Sequence, residues 1–145
     1  MRSFLFRLIG ILEIAGGFYG ASAMLRRLWP PGSTLDNLHA LIGLLLFGFV
    51  LVAGVLLVEG HERGVRLSSW AQLLQLPLLA TPVLSYGLHC GAYLNLYAST
   101  ARLDHPWLEG GFGSQGFALA LAGPAVTRLG INLLALVAWL LLKLR

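Results

Sequence analysis

Glu13 interrupts an apolar run that opens at Phe4. At 1.5 Å per residue it lies ~13 Å down a helix, near the middle of a bilayer. A carboxyl at that depth favours its neutral form unless a cation reaches it. Gly10, Glu13, Gly17, Gly20 and Met24 recur at steps of three and four, which puts them on one helical face. Gly16 and Gly20 form a GxxxG that permits close helix contact. Two chemistries are open for Glu13: a hydrogen-bonded packing residue on a glycine seam, or a proton or cation site.

Five other positions could join it. Arg128 and Asn132 have the i, i+4 spacing of a shared helix face. Arg128 either snorkels to an interface or reaches toward Glu13 through Asn132. Ser85 and His89 repeat that spacing, and His39 falls toward the same outer side on another helix. Two histidines on neighbouring helices could ligate a haem; otherwise each hydrogen-bonds at the interface. Gln72 and Gln75 bond across helices or to headgroups. Glu13, Asn132, Arg128, His39, Ser85 and His89 are therefore expected to converge on one outward-opening polar cluster, with Glu13 at its floor.

Other chemistries are excluded. The chain has no HExxH, CxxC, Walker-type glycine loop or GxSxG. The single Cys90 rules out an intramolecular disulfide and a multi-cysteine metal site. No metal or other cofactor and no catalytic constellation is expected. The net charge of +4 is carried by pairs such as Arg26/Arg27 and Arg63/Arg66, not by a basic stripe, which argues against nucleic acid.

Composition dictates the helices that carry these residues. Charged residues are 11% of the chain and hydrophobic ones 57%, against about a quarter charged in soluble domains. At ~20 apolar residues per span, residues 1–145 accommodate a single four-helix transmembrane domain: an all-α, polytopic membrane protein. The spans are expected at 4–25, 36–58, 70–97 and 123–143. Ser33, Thr34 or Asp36 caps the second, and Ser68 or Ser69 the third. Pro77 and Pro82 are expected to kink the third helix and free carbonyls near 73–78. Residues 98–116, with Gly110, Gly111, Gly113 and Gly116, read as a long loop. Trp29, Trp70, Trp107 and Trp139 read as interfacial belt residues.

Met1 through Ala21-Ser22-Ala23 has the outline of a secretory signal, but Glu13 and the glycine pair favour an uncleaved first helix. Arg2, Arg7, Arg63, Arg66, Lys143 and Arg145 fall on one side, against Arg26, Arg27, Arg102 and Arg128 on the other. This places both termini in the cytoplasm. The preference for arginine over lysine suggests a GC-rich bacterial genome, and with the four spans a bacterial inner membrane.

A four-span chain with one glutamate midway along its first helix resembles the small multidrug resistance transporters. In that family such a glutamate couples proton and cation exchange, and Glu13 is the one position that carries over. The greater length, the Pro77/Pro82 segment and the glycine-rich stretch depart from the family pattern. The leading expectation is a non-enzymatic accessory, protective or regulatory membrane protein acting through helix–helix contacts. Its partners would be the lipid bilayer and another membrane protein or a second copy of itself. The alternatives are a proton-coupled transporter using Glu13, or a bis-histidine haem carrier.

Overall fold

The computed structural model describes residues 2–100, 102–113, 117–121 and 123–144. Gly116 and Arg145, which bound the expected loop and carry part of the charge argument, lie outside them. So do the side chains of Arg2 and Arg102.

Two long helices open the chain, α1 (Arg2–Leu28) and α2 (Thr34–Val58). They form an antiparallel hairpin zipped by small residues. A Cβ on Gly10 would sit 2.8 Å from the Gly54 carbonyl oxygen, and one on Gly17 would sit 2.8 Å from Leu51. Gly20 lies against the Phe47 ring, while Gly16 faces the backbone of Cys90 and Gly91 instead of α2. Ser33 caps α2, its hydroxyl accepting from the Asp36 amide at 3.2 Å. Gly60, at φ +79°, lets the chain reverse into α3 (Glu62–Gln75).

From here the fold departs from four transmembrane helices. Helix α3 stops before Pro77, which opens strand β1 (Pro77–Ala80). Proline lacks the amide that a continuing helix needs and its ring clashes with the preceding turn; Leu76 still has helical angles, φ −72° and ψ −51°, and the chain turns extended at Pro77. Pro82 lies in the Thr81–Leu84 turn, where the Thr81 amide and hydroxyl both donate to the Leu84 carbonyl. The two prolines therefore end a helix and help form a turn; they do not kink a span. The freed carbonyls find partners in the sheet. Leu74 accepts from the Tyr86 hydroxyl at 2.7 Å, and Leu76 from the Asn132 amide at 3.1 Å.

Strands β2 (Ser85–Leu88), β3 (Ala92–Ser99), β4 (Arg102–Phe112), β5 (Phe117–Ala120) and β6 (Arg128–Asn132) complete a six-stranded antiparallel sheet. Its order is β4-β3-β6-β1-β2-β5. The expected third span thus supplies one helix and three strands. Much of the expected loop is β4, an edge strand that can accommodate Pro106. The expected fourth span is β6 followed by α4 (Leu133–Lys143), whose 11 residues are too few to cross a bilayer. The protein is a mixed α/β fold, and among the described residues only α1 and α2 are long and apolar enough to span.

The sheet is two-faced because its strands alternate. Register places Leu94, Leu96, Leu108, Leu129 and Ile131 on the same face as Tyr86, Leu88 and Phe117. Leu88 and Phe117 enter the core with Met24, Phe47, Val50 and Ala71, so this face looks toward the helices. Asn95, Tyr97, Trp107, Glu109 and Arg128 occupy the other face.

Candidate functional site

The polar face of the sheet holds a pocket of about 290 Å³. His89, immediately after β2, is on its wall with Tyr97, Trp107, Glu109, Arg128 and Ser85. Pairing explains the gathering. Tyr97 lies opposite both Trp107 and Gly130, Asn95 opposite Glu109, and Ala80 opposite both Ser85 and Arg128. The Tyr97 ring crosses Gly130, where an added Cβ would lie 2.5 Å from it. It stacks on Trp107 with centroids 5.5 Å apart and planes 26° apart. Glycine at 130 thus lets an aromatic platform lie flat on the sheet.

Asn95 organises the interior of this wall. Its Nδ2 donates to His89 Nε2 at 2.8 Å and to the Tyr97 hydroxyl at 3.1 Å. An amide nitrogen only donates, so His89 Nε2 accepts and the ring proton is on Nδ1. Burial lowers the His89 pKa, with the Glu109 charge opposing it, so the ring is a neutral imidazole at pH 7. Burial raises the Tyr97 pKa, helped by Glu109.

Two buried polar atoms here have no protein partner: Asn95 Oδ1 and Asn132 Nδ2, on residues directly opposed in the β3–β6 register. Each such group costs about 1–3 kcal/mol. Native proteins keep few of them, and functional sites are one of the places where they occur. With its acceptor nitrogen occupied, His89 is not placed to act as a general base. The pocket instead offers an aromatic platform, a carboxylate and a guanidinium, a donor and acceptor set that suits binding a small polar ligand.

Ser85, His89 and Arg128 thus share the pocket, and Asn132 adjoins it through Asn95. Asn132 also caps α4, its Oδ1 accepting from Leu134 and Ala135 at 3.2 and 3.3 Å and from Leu94 at 3.3 Å. Glu13 and His39 are elsewhere. Glu13 is 1% exposed between α1 and α3, accepting from Ser68 Oγ at 2.7 Å and Gln72 Nε2 at 2.8 Å. Desolvation raises its pKa to about 7, against the lowering effect of those two bonds. His39 stacks on Phe117 at 5.0 Å, its Nδ1 3.5 Å from the Arg27 guanidinium. The two histidines of the haem alternative therefore have separate partners.

Asn95, Tyr97 and Glu109 are absent from the cluster expected from the sequence, where Trp107 reads as a belt residue. Their signal was the alternation of Leu94-Asn95-Leu96-Tyr97 and of Trp107-Leu108-Glu109. Among the described residues no group of three His, Cys, Asp or Glu could hold a metal ion. No protein-family model, curated protein or solved structure matches the chain.

Proposed function

We propose that this protein is seated in one leaflet of a membrane through the outer side of its α1–α2 hairpin. It presents the sheet pocket, on the far side from the lipid, as a non-enzymatic binding or accessory module. One observation carries the placement. On α1, Leu8, Ile11, Phe18 and Leu25 are 43–67% exposed, and on α2 Leu38, Leu41, Leu45 and Val52 are 47–67% exposed. No charged residue occurs from 8 to 25 except the buried Glu13, and none from 37 to 58. Soluble monomers rarely expose apolar patches of that extent.

The opposite faces of the same helices are covered from end to end. Met24 and Phe47 pack against the sheet, Glu13 against α3, and Ile9 and Leu57 against α4. Immersing the hairpin upright would carry the sheet into hydrocarbon with the outer edges of β4 and β5 unpaired. Each such backbone group costs several kcal/mol there. Lying in the leaflet avoids this, and the apolar residues on the helix side of the sheet, 37–62% exposed from Leu94 to Ile131, extend the seat. Arg7 and Arg26/Arg27 flank the apolar side, which suits the anionic cytoplasmic surface of a bacterial inner membrane with both termini cytoplasmic. Transport at Glu13 drew on a four-span architecture that the sheet replaces.

Flotation with phospholipid vesicles tests the seat. The protein is expected to float, and Phe18→Asp with Leu45→Asp to lower the bound fraction more than tenfold, since a charge inside a bilayer costs ~2.5–3.5 kcal/mol. A detergent-free monomer that stays with the soluble fraction contradicts the placement.

A further inference from the structure

We infer that the groove between α3 and α4 binds the phosphate headgroup of an anionic phospholipid. The groove is about 580 Å³, within the range of small-molecule sites. Its charged wall is unbalanced: Arg63, Arg66 and Lys143 against Glu62 alone. Arg63 and Arg66 are one turn apart on the exposed side of α3, whose opposite side buries Gly64, Ser68 and Ala71. Two guanidiniums so placed match the geometry of phosphate oxygens.

The remaining wall is amphipathic in the way that a lipid is. Trp70 and Trp139 line it, and the Lys143 ammonium is 5.8 Å from the Trp139 ring centroid. Tryptophan favours the headgroup level of a bilayer. Below the charges lie Val65 and Leu142, in the cluster that includes Ile9 and Leu57 of the hairpin. A headgroup held by Arg63, Arg66 and Lys143 therefore rests beside apolar side chains that pack against the hairpin. The assignment rests on the membrane-seated placement and adds a lipid class to it. A diffuse attraction would use every exposed cation equally, whereas this groove uses three.

Flotation of the full chain compares vesicles of phosphatidylcholine alone with vesicles containing phosphatidylglycerol. Tighter binding to the anionic vesicles is expected. Arg63→Gln with Arg66→Gln should weaken that binding about 25-fold, given the attraction of one basic residue to an anionic surface, and Arg63→Lys with Arg66→Lys should restore only part of it. Arg26→Gln with Arg27→Gln removes the same charge from the flank of the seat and none from the groove, and should weaken the binding less than tenfold. Circular dichroism checks that each variant is folded; all these side chains are exposed. Equal losses from both pairs, or equal binding to both vesicle types, would overturn the groove while leaving the seat intact. Failure to bind either vesicle would overturn the seat and the groove together. Displacement by soluble glycerophosphate would assign the groove to a free phosphate ester and overturn the lipid.

Discussion

The two buried polar clusters of this protein contrast in how completely they are satisfied. Around Glu13 each carboxylate oxygen has a donor, Ser68 on one and Gln72 on the other, within the tight contact of α1 and α3. Around Asn95 the amide nitrogen serves two acceptors while its oxygen is left without a partner, beside an open pocket. A closed, satisfied cluster holds elements together, and its removal is felt as lost stability. An open cluster with spare hydrogen-bonding capacity contributes less to stability. Glu13, which its position made the leading functional candidate, belongs to the first kind. His89 belongs to the second.

Substitutions test that contrast. The largest effect is expected from Glu13→Leu, which leaves the Ser68 hydroxyl and the Gln72 amide without their buried acceptor. Gln72 loses its acceptor and Ser68 keeps only the Ala53 carbonyl at 3.3 Å, so at about 1–3 kcal/mol per group the loss in chemical denaturation is about 3 kcal/mol. Glu13→Gln keeps an acceptor and should lose far less.

Next comes the pH dependence of stability, which the two clusters drive in opposite directions. The folded pKa of Glu13, about 7, is above its ordinary 4.5, so between these values the folded state binds more protons. Stability is fully present below 4.5 and falls as pH rises through 7, by on the order of 3 kcal/mol; Glu13→Gln should flatten that limb. His89 has a lowered folded pKa, so below pH 6.5 the unfolded chain binds the extra proton and stability falls with decreasing pH. Denaturation midpoints from pH 4 to 9 separate the two slopes once Glu13→Gln removes the first.

Gly16→Ala places a methyl 2.2 Å from the Gly91 amide nitrogen. Since that obstacle is backbone, a loss of about 1–3 kcal/mol is expected, read as a lower melting temperature.

The smallest stability effect belongs to the open cluster. Asn95→Ala removes two hydrogen bonds but also an already unpartnered oxygen, for a net loss of about 1 kcal/mol. It should alter the His89 ring signals in proton–nitrogen spectra, because Nε2 loses its donor. A loss as large as that of Glu13→Leu would erase the distinction between the clusters.

The helices at 2–28 and 34–58 lie where unbroken apolar runs put them, and Ser33 is one of the three caps that the sequence offered. The sheet was hidden for a physical reason. Residues 76–97 and 117–132 are rich in apolar residues and carry a single charged residue, Arg128, so only the period of two sets them apart from a span. Leu94-Asn95-Leu96-Tyr97 shows that period, but Pro77 and Pro82 invited a kinked helix and Gly110 and Gly111 a loop. In the fold Gly111 lies in a strand because the Tyr93 hydroxyl occupies the space of its missing side chain, 2.7 Å from where a Cβ would be. The same shift in period explains the sites. Arg128 and Asn132, or Ser85 and His89, share a face at helical spacing, and i, i+4 is also an even step along a strand. Ser85, His89 and Arg128 thus still meet at one pocket. Glu13, placed by true helical geometry, faces Ser68 and Gln72 on α3 and not residue 132.

The most direct test of the membrane seat is depth. Single spin labels at positions 8, 11, 18 and 25 of α1 and 41, 45 and 52 of α2, in a Cys90→Ala chain bound to vesicles, report immersion through collisions with oxygen and with a polar relaxant. A hairpin lying in one leaflet predicts similar, shallow depths along both helices, with labels on the sheet pocket fully accessible to the polar relaxant. Depths that peak near Phe18 and Leu45 and fall toward both ends would mean an upright, bilayer-crossing hairpin, contradicting the one-sided seat.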